Sequence, residues 1–150
     1  MVECRDDRTS DGAYSIDDIA VHRFSDEMEH SETAIFVWGS WMDGGTADAV
    51  NRRFLSYDNA QRAVIGAWDH GGRFHASPYQ RPGRPPDPIL PDQWGEMLRF
   101  FDAHLKDTED KARSEKVLFY YTMGEERWKR TAVWPPAGTA TQRWYLAEDH

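Results

Sequence analysis

The chain has 150 residues, enough for one compact domain, and carries a formal net charge of −8 with a pI near 5.2. Its negative surface repels phosphate backbones and anionic lipid headgroups, so the composition argues against nucleic-acid and membrane partners. A single cysteine excludes an internal disulfide, and no apolar run of about 18 residues is present, so we expect a cytoplasmic protein unless a longer chain carries a signal peptide.

The first predicted elements are an arm, a helix and a strand. Residues 1–14 are polar and aperiodic, which is typical of an arm. Ser15 and Asp18 have the spacing of a capping box, and apolar residues then recur near the helical period, so we predict a helix over residues 15–29. Residues 33–39 form a β-branched and aromatic run without alternation, which predicts a strand covered on both faces.

The next segments predict a βαβ unit. Thr46 is a candidate N-cap for a helix whose apolar stripe includes Val50 and Phe54, and residues 63–68 then form a second buried strand. This order implies parallel strands with a right-handed crossover. Functional groups in such sheets lie at the carboxyl ends of the strands.

The second half of the chain predicts a loop, a helix, a linker and further strands. Residues 76–91 hold six of the eight prolines and predict a connecting loop, which is followed by an amphipathic helix over residues 92–106. Residues 107–115 are a charged linker. Strands at residues 116–123, 128–134 and 142–146 have the spacing of an opening β-sandwich, and we expect this second domain to be cut off at His150.

Two loops carry the residues best suited to acid–base chemistry. Trp41-Met-Asp43-Gly-Gly and Ala67-Trp-Asp-His70-Gly-Gly each follow a predicted strand, so Asp43 and His70 lie on the same rim of the sheet. A histidine acts as a general base when a carboxylate holds its tautomer, and these two residues can fill those roles. A purely structural interpretation fits the residues equally well, because Asp-Gly is a common turn pair.

The loops resemble those of the CocE/NonD hydrolases, a group that includes Xaa-Pro dipeptidyl-peptidases, cocaine esterase and α-amino acid ester hydrolases. Gly39-Ser-Trp-Met-Asp43-Gly is similar to their Gly-Trp-Tyr-Asp-Gly acid loop, and Ile65-Gly-Ala-Trp-Asp-His70-Gly to their Gly-Pro-Trp-x-His-Gly histidine loop. The likeness continues through Phe100-Phe-Asp-Ala-His-Leu-Lys106 to Trp134-Pro-Pro and covers roughly residues 30–146.

The resemblance implies an α/β fold: the C-terminal portion of an α/β-hydrolase sheet over residues 15–106, followed from residue 116 by the first strands of a β-sandwich (jelly roll). It implies that Asp43 is the triad acid and His70 the triad base of a serine hydrolase. Such an enzyme cleaves small acyl esters or peptides, with Xaa-Pro dipeptidyl bonds among the candidates, and needs no metal or organic cofactor.

The nucleophile of that triad has no match in this sequence. Ser10, Ser15, Ser25 and Ser31 lack flanking glycines, and Ser40 lies in the acid loop itself. We therefore expect a fragment that is inactive alone, and that either self-associates through an exposed sheet edge or pairs with a serine-bearing half. The family's proline is Ala67 here, and Ser40 is inserted before Trp41.

Two alternatives remain open at this point. The chain could be a non-catalytic remnant that acts as a binding or assembly module. A divalent-metal site at Asp69, His70 and His75 is less favoured, because its spacing has no helical register. The histidines His22, His30 and His104 are expected to lie at the surface or to be hydrogen-bonded within the fold rather than to be catalytic. The tryptophans Trp128, Trp134 and Trp144 could line a ligand surface, but their strand spacing favours packing in the core or between domains.

Overall fold

The fold is a mixed α/β sheet with helices, seen in a computed structural model that describes Cys4, residues 6–106 and residues 114–146. The strands in these ranges are β1 (Ile35–Ser40), β2 (Gln61–Gly66), β3 (Lys116–Thr122) and β4 (Arg127–Thr131). They form one sheet in the order β1-β2-β3-β4, in which β1, β2 and β3 are parallel and β4 is antiparallel. The predicted parallel pair of β1 and β2 is confirmed.

The helices are α1 (Ile16–Ile19), α2 (Ser25–His30), α3 (Thr46–Ser56) and α4 (Leu90–Leu105), with a 3₁₀ turn at Val21–Phe24. The Ser15 capping box is confirmed, but the single helix predicted over residues 15–29 is wrong, because extended backbone at Ala20 interrupts it. Four of its apolar residues, Ile16, Ile19, Val21 and Phe24, are exposed, so little packing sustains a longer helix. In the described part of the chain, no helix has both the length and the apolar character needed to cross a membrane.

The core lies between α3 and one face of the sheet, where Val50 and Phe54 pack against Ala63, Ile65 and Leu118. Glycine at position 39 permits this close approach, because a Cβ there would lie 2.8 Å from Val50 Cγ2. The predicted capping role of Thr46 is wrong, since Gly45 is the N-cap. The Thr46 hydroxyl donates instead to the Asp43 carbonyl oxygen at 2.9 Å.

Aromatic rings cover the opposite face of the sheet. The Trp38 and Trp68 rings stack with centroids 5.1 Å apart, and Trp128 packs against Trp68. Phe36 contacts Phe100 of α4 in the same layer. Aromatic packing is the expected form of burial in a chain with seven tryptophans.

The β-sandwich expected after residue 116 is not confirmed. β3 pairs with β2 in parallel, so the strands predicted to open a second domain are the third and fourth strands of the same sheet. Val117 and Leu118 are both buried, as a strand covered on both faces requires. Residues 142–146 are not a strand. Most of the predicted linker, residues 107–113, and the last four residues lie outside the described ranges.

Candidate active site

Two loops lie side by side at the carboxyl ends of neighbouring parallel strands. We call residues 41–45, which follow β1, the Asp43 loop, and residues 67–76, which follow β2, the His70 loop. Ser40 is the register partner of Gly66, so the two loops leave the sheet at the same level. The Trp41 amide then donates to the Gly66 carbonyl oxygen at 3.0 Å, which joins the loops at their bases.

Asp43 and His70 form a hydrogen bond, with 2.8 Å between Asp43 Oδ1 and His70 Nδ1. The carboxylate is 20% exposed and the imidazole 91% exposed. The hydrogen bond and the charge of Asp43 raise the pKa of His70 above its usual value. With Nδ1 donating to the carboxylate, Nε2 is the ring nitrogen left to accept a proton, which is the arrangement of a general base.

Asp69 builds the turn that carries His70. Its Oδ1 accepts hydrogen bonds from the amides of Arg73 (2.7 Å) and Phe74 (2.9 Å), and the Phe74 amide lowers the pKa of this carboxyl. His75 closes the turn by bridging back to Trp68. The metal-site alternative gains no support, because the Asp69, His70 and His75 side chains each contact a different partner.

Ser40 is a structural link between the strand ends. The side chain is buried, and its hydroxyl donates to the Trp68 carbonyl oxygen at 2.6 Å. Ser40 Oγ also accepts hydrogen bonds from the amides of Trp68 (3.0 Å) and Met42 (3.1 Å). A hydroxyl with this set of partners is unsuited to attack a substrate.

Substituting Ser40 with alanine is expected to lower the free energy of unfolding by about 1–3 kcal/mol, because buried backbone groups of both loops lose their partner. Urea unfolding followed by tryptophan fluorescence measures this change. Ser56→Ala, at an exposed position in α3, is the matched control and should alter stability by less than about 0.5 kcal/mol. Equal effects of the two substitutions would contradict the structural role of Ser40.

A cavity of about 230 Å³ lies beside the pair and includes Asp43 and His70 in its lining. Its apolar walls come from β1, the His70 loop and α4, through Trp38, Trp68, Leu90, Trp94 and Met97. Concave, mostly apolar sites with a few polar groups are typical of small-molecule binding.

Two curated proteins are similar to this chain. It is 37% identical over 136 residues, 90% of its length, to a protein of Mycobacterium bovis named "Putative serine esterase", and equally to one of the same description from Mycobacterium tuberculosis. These relatives support a hydrolase family. The chain spans about a fifth of their length (21%). No family model matches the sequence.

The structure reveals a cluster of side chains around Glu126 that the sequence did not predict. The Glu126 carboxylate, on the turn between β3 and β4, contacts His75, Ser77 and Tyr121. Ser77 and His75 lie 49 and 51 positions before Glu126 in the chain, and no sequence signal links them to it. Only the sheet topology brings these residues together.

The remaining candidates lie in other parts of the fold. His22, His30 and His104 lie in the 3₁₀ turn, α2 and α4, respectively. Trp128 and Trp134 pack against other rings, as expected, with Trp134 beside Trp41. The packing role expected for Trp144 is wrong, because its side chain is exposed.

Proposed function

We propose that this chain supplies the general base and its orienting carboxylate to a serine hydrolase that cleaves ester or amide bonds. The observation that carries the proposal is the 2.8 Å hydrogen bond between Asp43 and His70, placed at the carboxyl ends of adjacent parallel strands. Asp43 selects the tautomer in which Nε2 can accept a proton, and its charge stabilises the imidazolium that results.

The reaction follows from these roles. A serine hydroxyl attacks the carbonyl carbon of the substrate, His70 Nε2 takes the hydroxyl proton, and backbone amides stabilise the oxyanion. His70 then gives the proton to the leaving alcohol or amine. Water, activated by the same histidine, hydrolyses the acyl-enzyme and regenerates the serine.

In this proposal the serine comes from outside these 150 residues. Ser40, the serine nearest Asp43 in sequence, is buried and engaged with the backbone. The relatives are about five times as long as the aligned segment, which gives room for a nucleophile elsewhere. The name of the relatives favours ester substrates, and the similarity of the two loops to CocE/NonD hydrolases makes that group the specific proposal.

The pKa of His70 offers a direct test of the hydrogen bond between Asp43 and His70 in the isolated 150-residue chain. We expect NMR titration of the histidine ring to give a pKa above the usual value, and Asp43→Asn to lower it, because the neutral amide stabilises the imidazolium less. Asp48→Asn, which breaks the surface pair with Arg52, is the matched control. An unchanged His70 pKa in Asp43→Asn would contradict the proposal.

The sign of the pH dependence of catalysis follows from the same pKa. His70 must be neutral to accept a proton, so hydrolysis should increase as pH rises through its raised pKa. In the Asp43→Asn variant this increase should move to lower pH while the maximal rate falls. If Asp43→Asn does not shift the pH dependence of the rate, that dependence reports the titration of a group other than His70.

The second candidate function is a non-catalytic binding module, which the exposed apolar residues of α4 favour. A fluorophosphonate probe separates the two. If the chain completes an active site, a serine-bearing polypeptide should be labelled only when the chain is present, and His70→Ala should abolish that labelling. Labelling that is independent of this chain would favour the binding module.

A further inference from the structure

We propose that Glu126 is a positioning residue for His70, acting by holding the end of the His70 loop against the turn between β3 and β4. This inference rests on the proposed function, since it concerns how the proposed general base is held. In the described part of the chain, no hydrogen bond joins Glu126 to His70 or to Asp43, so its effect on His70 is indirect.

On the side of the loop, the carboxylate contacts His75, which lies near the end of the His70 loop, and Ser77, which directly follows that loop. Ser77 Oγ donates to Glu126 Oε1 at 2.8 Å, and His75 Nε2 lies 3.4 Å from Glu126 Oε2. The His75 side chain is 4% exposed and that of Glu126 is 18% exposed. Water therefore competes weakly for these contacts, and they hold the end of the loop in one place.

On the side of the hairpin, the same carboxylate is bound by its own turn and strand. The Gly124 amide donates to Oε1 at 2.9 Å, and the Tyr121 hydroxyl donates to Oε2 at 3.2 Å. The backbone of Glu126 has a φ of 55°, a left-handed conformation that favours glycine. The Glu126 side chain makes hydrogen bonds at this position that a glycine could not make.

The charge state of the cluster agrees with this geometry. Burial raises the pKa of Glu126, but hydrogen bonds from Gly124, Ser77, Gln80 and Tyr121 outweigh that effect and bring the pKa to about 2. Burial and the hydrogen bond to Glu126 raise the pKa of Tyr121 to about 12. Glu126 is thus a carboxylate, and Tyr121 a hydroxyl donor, throughout the neutral range.

The His70 loop can transmit the position of its end to its tip. The Ala76 amide donates to the Ala67 carbonyl oxygen at 2.8 Å, and the Asp69 amide to the Phe74 carbonyl oxygen at 3.1 Å. These bonds close residues 67–76 into a turn with His70 at its tip. A displacement at His75 therefore moves His70 relative to Asp43.

The Asp43 loop contacts the same hairpin independently. Trp41 Nε1 donates to the Tyr121 carbonyl oxygen at 2.8 Å, and Trp41 packs beside Trp134. The hairpin of β3 and β4 is consequently a common support for both loops. Holding the two loops against one rigid element fixes the separation of Asp43 and His70 more closely than separate supports would.

The test compares Glu126→Gln with Glu125→Gln in the 150-residue chain. Glu125 is the neighbouring residue and pairs with Lys129 at the surface, so its substitution makes the same change of charge outside the cluster. In Glu126→Gln we expect the pKa of His70, measured by ring NMR, to fall toward its value in Asp43→Asn. Amide exchange in residues 69–76 should accelerate about tenfold, as expected for local opening, and Glu125→Gln should change neither.

The outcomes separate this inference from the proposed function. A folded Glu126→Gln chain, judged by near-ultraviolet circular dichroism, with an unchanged His70 pKa would overturn the positioning role. If Glu126→Gln unfolds, Ser77→Ala removes one hydrogen bond from the cluster, and an unchanged His70 pKa there would overturn it as well. Failure of Asp43→Asn to shift the pKa of His70 would instead overturn the proposed pair.

Discussion

Replacing His70 with alanine is expected to reduce ester hydrolysis by about 10⁶-fold in a protein that combines this chain with a serine nucleophile. The chimera for this experiment is the Mycobacterium tuberculosis relative with its aligned segment exchanged for the matching residues of this chain. The unaltered chimera must first hydrolyse a probe such as p-nitrophenyl butyrate. The large effect is expected because a serine hydroxyl is a weak nucleophile without a base.

Asp43→Asn in the same chimera should reduce kcat by about 10⁴-fold, since the amide supports the wrong tautomer of His70. His30→Ala is the histidine control, because His30 ends α2, which precedes the amino end of β1. It should leave the rate within a factor of two to three of the parent. Retention of most activity in His70→Ala would remove Asp43 and His70 from the catalytic machinery and favour the binding module.

Phe54→Ala is expected to lower the free energy of unfolding by about 3–5 kcal/mol. Phe54 is 1% exposed and packs with Ile65 and Leu118 where α3 meets the sheet. Lys116 Nζ also lies 5.2 Å from the centre of its ring. Since a small domain has a total stability of about 5–15 kcal/mol, this substitution removes a large share of it.

The neighbouring residue gives a matched control for that measurement. Leu55 is 58% exposed, so Leu55→Ala should change stability by less than about 1 kcal/mol in the same urea titration. Similar losses of stability in Phe54→Ala and Leu55→Ala would mean that α3 packs against the sheet through a different face. A small loss for Phe54→Ala alone would mean that the core relaxes to fill the space.

The βαβ unit and the meeting of Asp43 with His70 could be predicted from the sequence because both depend on local patterns. Two continuous apolar runs separated by an amphipathic helix specify parallel strands, and parallel strands place their following loops on one rim. Hydrophobic spacing alone therefore put the acid and the histidine together. The distance between them depended on loop geometry, which Ser40 and Asp69 determine through backbone hydrogen bonds.

The role of β3 could not be predicted in the same way. Its apolar run suits any strand buried on both faces, and the sequence does not say which strand lies beside it. The pairing with β2 is a contact between distant parts of the chain. The Glu126 cluster is hidden for the same reason, because it exists only once the turn after β3 lies against the His70 loop.

The hydrogen bond from Trp41 to Tyr121 joins residues 80 positions apart, and this separation has a consequence for folding kinetics. Closing so long a loop costs chain entropy before any contact compensates for it, whereas β1, α3 and β2 can assemble from nearby contacts. If the hairpin holds both loops, as proposed above, we expect the final alignment of Asp43 with His70 to follow the docking of the hairpin. The βαβ unit would then form before the acid and the base are held in register, and stopped-flow refolding should show tryptophan burial before His70 reaches its raised pKa.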